Sequence, residues 1–142
     1  MSLLLDTSII VKLIIDEPDS HRARIRVKES LTQGHTLISV DEALPEALNT
    51  LWKHVKIHGD LDVEEAMSAA EDLLLLWRKI IIIPTQDISI DALKIAIELK
   101  LSLYDSLFLA ASRKTNSTLY TADTRQHEAS KNTFDCELLT MT

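Results

Sequence analysis

Short apolar runs alternate with helix-spaced apolar positions along the whole chain. Ser2–Asp6 predicts a first strand, Thr36–Ser39 a second, Ile80–Ile83 a third closed by Pro84, Thr118–Thr121 a fourth, and Glu137–Leu139 a fifth. The first and third are continuously apolar, as in parallel strands covered on both faces. Between them the pattern changes to a helical period. Helices are predicted over Ser8–Ile15, Pro18–Leu31, Glu42–His58, Asp62–Trp77, Ile88–Leu99, Ser106–Lys114 and Thr124–Ser130. Thr7 or Ser8 is available as the first N-cap, and Asp62 with Glu65 has capping-box spacing. Leu44, Leu48, Leu51, Trp52 and Val55 form one apolar stripe that stops at Gly59. The alternation of strands with helix pairs predicts an α/β fold, a single domain over residues 1–142 in which helices flank a short, mostly parallel sheet.

Composition narrows the function. The 142 residues are 46% hydrophobic and 26% charged, ordinary for a globular chain with one core. With 22 acidic against 15 basic residues the formal charge is −7, which disfavours a general cationic nucleic-acid binder. Cys136 stands alone, so no intrachain disulfide forms and a reducing compartment fits. The longest apolar stretch, Leu73–Ile83, is interrupted by Arg78 and Lys79 and falls short of the ~20 residues that a membrane helix needs. The cytoplasm is the expected location. Two glycines leave no room for a Gly-rich phosphate loop, which excludes the usual dinucleotide and P-loop sites.

Ligands of open parallel sheets bind beyond the carboxyl ends of the strands. Asp6 ends the first predicted strand, Asp123 follows the fourth, Asp105 opens an apolar helix, and Glu46 lies in the first turns of the helix after the second strand. Any one of the aspartates could be a helix cap. Gathered at one sheet edge they need another account. Two like charges ~4 Å apart repel by roughly 4 kcal/mol at an effective dielectric of 20. Such a group persists only if a cation neutralises it or some members hold protons. With no His or Cys nearby in sequence, an all-oxygen set suits Mg²⁺ or Mn²⁺ rather than zinc.

Four segments then become recognisable together: Leu4-Leu-Asp-Thr-Ser8, Glu46-Ala-Leu-Asn49, Tyr104-Asp-Ser-Leu-Phe-Leu-Ala110 and Thr121-Ala-Asp-Thr124. In order and spacing the chain resembles the PIN-domain family, specifically the VapC-like ribonuclease toxins. The resemblance implies a PIN-like α/β/α sandwich and a metal-dependent endoribonuclease whose acidic quartet is Asp6, Glu46, Asp105 and Asp123. It places Asp6 and Asp105 on a principal Mg²⁺ or Mn²⁺, with Glu46 and Asp123 completing the site, and puts Ser8 and Thr121 at supporting polar positions. It further implies an RNA substrate, a small antitoxin protein as partner and a homodimer. Two other readings stay open: an RNA-processing PIN nuclease without an antitoxin, and a PIN-like binding module without catalysis. Ser106 stands where the family often has Ala, and Thr124 and Arg125 replace its usual Glu and Arg, so only the aspartate of that last segment is carried over. Glu42, one turn before Glu46, competes for the second acidic position; Asn49 favours Glu46.

The remaining polar residues are read more plainly. Arg22, Arg24, Arg26 and Lys28 spread around a helix and read first as a solvated face, with RNA backbone or a partner as the alternative contact. Arg113, Lys114 and Arg125 are the preferred RNA contacts; Lys12, on the helix after Asp6, is within reach of a phosphate but reads first as a snorkelling surface lysine. His54 and His58 are i, i+4 but lack the HExxH context of a zinc site. Trp52 and Trp77 are expected as core or interface anchors. The leucines at 73–76 exceed what one helix face buries, which points to a core helix or a partner surface.

Overall fold

The structure, a computed structural model, describes residues 1–140. Its elements in chain order are β1 (Ser2–Leu5), α1 (Thr7–Ile14), α2 (Ser20–Thr32), β2 (Thr36–Val40), α3 (Ala43–Lys53), a π-helical turn (His54–His58), α4 (Val63–Trp77), β3 (Ile81–Ile83), α5 (Thr85–Leu99), α6 (Leu103–Thr115), β4 (Thr118–Thr121), α7 (Thr124–Ser130) and β5 (Cys136–Leu138).

Three consecutive leucines in β1 alternate between the faces of the sheet, and all three are buried. Helices therefore cover both sides of this strand, the arrangement expected of its unbroken apolar run. The five strands run in the order β3-β2-β1-β4-β5, and every pairing is parallel. Leu3 stands opposite Leu37 on one neighbour and Thr118 on the other, so β1 is central. Right-handed crossovers then place α1 to α4 on one face and α5 to α7 on the other. In keeping with this, α1 packs on α2, α3 and α4, whereas α6 lies against β1, β2 and β4 with α5 behind it. Residues Ser106 to Ser112 of α6 are buried without a break, because sheet and α5 enclose the helix.

The strands and helices predicted from the sequence are present, with instructive shifts. Asp6, rather than Thr7 or Ser8, caps α1, its carboxylate accepting from the Ile9 amide at 3.1 Å. The predicted capping box is made: Glu65 N–H donates to Asp62 at 2.8 Å, and Asp62 N–H donates to Glu65 at 3.1 Å. Helix α5 starts three residues early at Thr85, where Asp41 accepts from the Thr85 amide at 3.0 Å. Helix α6 starts at Leu103 because Ser102 caps it, which places Asp105 inside the first turn and not ahead of it.

Two expectations about burial fail. The third strand is an edge strand, and Ile81 is 54% exposed. In α3 only Leu51 of the predicted stripe is fully buried, beside Ala43 and Ala47, while Leu48 and Trp52 are exposed. Leu48, Trp52 and Val55 instead line an apolar groove of about 300 Å³ against Val63, Met67 and Ala70 of α4 and its approach. Leu73 is in the core, whereas Leu74 and Leu75 face outward; Trp77 packs partly buried against the core.

Candidate active site

The strand order reverses between β1 and β4: the chain moves from β1 towards β2 and β3, then returns to lay β4 on the other side. At such a switch point the two crossovers leave in opposite directions and open a crevice beyond the strand ends. A cleft of about 420 Å³ lies there, and Asp6, Glu46, Asp105 and Asp123 all line it. Each acid arrives by its own route. Asp6 and Asp123 follow β1 and β4, while Glu46 and Asp105 sit in the first turns of α3 and α6. Four helix N-termini thus face one cleft, and their partial positive charge eases the crowding of carboxylates.

Hydrogen bonds hold the floor of the cleft. Asp6 is almost fully buried. The Ser8 hydroxyl donates to its Oδ1 at 2.5 Å, and the Thr121 hydroxyl donates to its Oδ2. Ser8 Oγ in turn accepts from the Ala122 amide at 3.0 Å, and Thr121 Oγ1 accepts from the Asp123 amide at 3.0 Å. Asp123 caps α7 by accepting from the amides of Arg125 and Gln126 at 2.9 and 3.2 Å. Cap and cleft wall are the same residue at both Asp6 and Asp123.

Gln126 was not foreseen. It is 1% exposed, donates to the Asp105 carbonyl at 2.9 Å, and sets its Oε1 3.3 Å from Thr121 Oγ1. It ties the α6 start to the β4 end. The only trace of this in the sequence is its position three residues after a capping aspartate, where a helical side chain leans back towards the N-terminus.

The electrostatics are those of an under-neutralised site. Burial pushes Asp6 up to about 6, with Asp105 adding repulsion against several hydrogen bonds that pull the other way. Burial, then the charges of Glu42 and Asp105, push Glu46 up to about 7. Asp105 is raised as well, by burial and then by Asp123. Glu46 Oε1 is buried with no partner at hydrogen-bond geometry, and so is the hydroxyl of neighbouring Thr7, which lies close enough to pull the Glu46 carboxyl back down a little. Glu42 therefore acts on the site as a neighbouring charge; it is Glu46 that lines the cleft.

The PIN domain profile matches residues 3–132. The chain belongs to the PIN-domain family. Over 123 residues this PIN domain is 28% identical to Ribonuclease VapC3 of Pyrobaculum aerophilum, spanning 87% of this chain and 90% of that one. Among solved structures, VapBC2 from Rickettsia felis, bound to a DNA fragment from its promoter, matches with a TM-score of 0.69 at 21% identity, covering 97% of this chain and 98% of that one. A toxin–antitoxin complex from Klebsiella pneumoniae matches with a TM-score of 0.68 at 17% identity, covering 99% and 100%. At these identities the two structures establish the likeness of fold.

The donor set of this PIN domain fits a hard divalent cation. Carboxylate and hydroxyl oxygens line the cleft, no His or Cys does, and Glu46 offers an oxygen with no other partner. Among the described residues no three such side chains form a ready-made cage, so the acids surround the cleft more widely than a closed coordination shell.

The expected RNA contacts divide. Arg125 lies close enough to Asp105 for its charge to act on that carboxyl. Arg113 and Lys114 are in the last turn of α6, about 12 Å along the helix from Asp105. There the Arg113 guanidinium lies 4.3 Å from the Phe134 ring centre, away from the cleft. Nearness in sequence was misleading because α6 runs the length of the sheet. The basic run on α2 is partly engaged: Arg24 pairs with Asp16 at 2.8 Å, and Arg26 makes a two-bonded contact with Glu137 at 2.6 and 3.0 Å. His54 bonds Asp60 at 2.8 Å, with the His58 ring 5.3 Å away. No described helix is long and apolar enough to cross a membrane.

Proposed function

We propose that this PIN domain is a divalent-metal-dependent endoribonuclease that hydrolyses RNA phosphodiester bonds, acts in the cytoplasm, and is the toxin of a toxin–antitoxin pair. The observation that carries the reading is the convergence of four carboxylates from separate segments on one cleft at the switch point, three of them displaced towards their protonated forms. A structural group of caps would not leave Glu46 Oε1 buried without a hydrogen-bond partner. The name of the Pyrobaculum relative, a ribonuclease, supports RNA as the substrate. The Rickettsia and Klebsiella complexes support an antitoxin partner. A second copy of the chain is proposed as a further partner; apolar residues exposed on α5 (Ile90, Leu93, Ile97) and in the α3–α4 groove leave more than one face available.

In the mechanism Asp6 and Asp105 would hold the principal Mg²⁺ or Mn²⁺, with Glu46 and Asp123 completing the site and orienting the attacking water. When bound, the cation supplies positive charge to the scissile phosphate and acidifies the water beside it. Ser8 and Thr121 keep the Asp6 carboxylate in one orientation, so the site is organised before substrate arrives. Hydrolysis forms a bond from water oxygen to phosphorus as the in-line ester bond breaks; the water proton passes to solvent or to a carboxylate of the cleft, and the departing ribose oxygen takes up a proton from solvent. Arg125, at the α7 start, faces the phosphate backbone.

The test is cleavage of a structured RNA panel by the partner-free protein with Mg²⁺, Mn²⁺ or EDTA, beside Asp105→Asn. Cleavage is expected only with the ion and only in the unsubstituted protein, while Asp105→Asn melts at or above its temperature. Ion-independent cleavage, or full activity of folded Asp105→Asn, would sink the assignment.

A further inference from the structure

Lys12 is the one basic residue lining the acidic cleft among the described residues. A snorkelling lysine carries its ammonium out to water. This side chain is only 14% exposed, and its Nζ is held 3.2 Å from Glu17 Oε1. The other oxygen of Glu17, Oε2, lies 3.6 Å from His54 Nε2, and His54 Nδ1 lies 2.8 Å from Asp60 Oδ1. His54 is likewise 14% exposed and is the first residue of the π-helical turn, a local widening that is frequent at functional sites. An ammonium has three protons to donate, and Glu17 takes one, leaving two for an occupant of the cleft.

The position of this charge gives it a role separate from the acids. Lys12 follows Asp6 by six residues, about 9 Å along α1. The charges that act most on Asp6 and Glu46 are those of other acids, and the carboxylate that Lys12 pairs with is Glu17, outside the quartet. Asp6, Asp105 and Lys12 line one cleft, so a polyanion with one phosphate at the two aspartates has Lys12 within the same cleft for another.

We propose that Lys12 binds an RNA phosphate flanking the one under attack, and that Glu17 and His54 are positioning residues holding its ammonium there. The inference rests on the nuclease reading and deepens it. It makes Lys12 a source of substrate register: the ester bond cut lies at a fixed number of phosphates from the lysine.

The experiment measures binding apart from cleavage. With Asp105→Asn as background, a fluorescein-labelled single-stranded RNA of mixed sequence is titrated by anisotropy over a range of KCl. Adding Lys12→Met is expected to weaken binding about three- to tenfold and to reduce the log–log salt slope by about 0.7, the loss of one phosphate contact. Lys12→Arg restores the slope, and Glu17→Gln gives a smaller loss. In the otherwise unsubstituted enzyme Lys12→Met raises KM while kcat stays within about twofold, because the contact is made equally in ground and transition states. An unchanged salt slope and KM in folded Lys12→Met overturns the proposal. RNA bound but never cleaved by the unsubstituted protein would fault the nuclease reading and leave the Lys12 slope readable. Failure to bind RNA at all would overturn both.

Discussion

At the scale of single residues, Asp6 shows why a cap and an active-site acid need not be alternatives. Its Oδ1 closes the first turn of α1, and its Oδ2 takes the Thr121 hydroxyl. Both bonds fix the carboxylate while burial works against its charge. Glu46 has only the nearby Thr7 hydroxyl in support, and replacing it separates site from stability. Glu46→Gln removes the charge that Glu42 and Asp105 oppose and keeps the side chain's shape. Metal-free Glu46→Gln should be more stable than the parent at pH 7.5 by about 1 kcal/mol, a figure reduced because the group is only half-buried. That is a rise in Tm of about 2–4 °C by thermal denaturation, accompanied by loss of cleavage. A lower Tm would mean that Glu46 is held by contacts that Gln cannot make. The four acids were legible in the sequence because each sits in a short polar interruption of an apolar run. Gln126 was not, since a lone glutamine in a short polar helix carries no signal until β4 and α6 are brought together.

At the scale of elements, periodicity located every strand and helix but misjudged which faces they show. The stripe on α3 is apolar yet half exposed, because α4 packs beside it and leaves a groove. The run Ile80–Ile83 reads as interior, but Ile81 lies on an edge strand, and composition alone does not distinguish an edge from a centre. The helix predicted to Gly59 does end there, though its last turn is widened over His54–His58. Gly59 closes that turn with a left-handed backbone, φ 68°, its amide donating to the His54 carbonyl. No heavy atom lies within 4 Å of where a Cβ would stand, so a substitution there tests backbone strain alone. Gly59→Ala should cost about 1–2 kcal/mol, and Gly59→Asn less, because Asn tolerates this conformation. Denaturant unfolding of the three proteins would order them Gly, Asn, Ala. Equal midpoints would show that the turn relaxes freely, and His54 would then stand beside Glu17 on no firm base.

At the scale of the whole molecule, the sheet order gathers acids that are up to 117 residues apart in the chain, Asp6 and Asp123, at one switch point. The cost is visible in the pH dependence of stability. Asp6, Glu46 and Asp105 all bind protons more tightly in the folded chain than in the unfolded one. Between their unfolded values, near 4, and the folded values of about 6 and 7, the native state holds more protons. Stability must therefore fall as pH rises through that window. Asp60 and Glu128 are displaced the other way by His54 and Lys131, but both are fully exposed and their pairs are screened. Tyr120 and Cys136, pushed up to about 12 and about 11, titrate outside the window. In EDTA the protein should melt at a higher temperature at pH 5 than at pH 7.5. Ligation of a divalent cation needs the deprotonated acids and favours the folded chain, so Mg²⁺ or Mn²⁺ should raise Tm at pH 7.5 and have little effect at pH 5. Melting curves at the two pH values, with and without the ion, decide the matter. A metal-free protein that gains stability from pH 5 to 7.5 would mean that helix N-termini and hydrogen bonds already neutralise the cleft, and the carboxylates would need no cation to coexist.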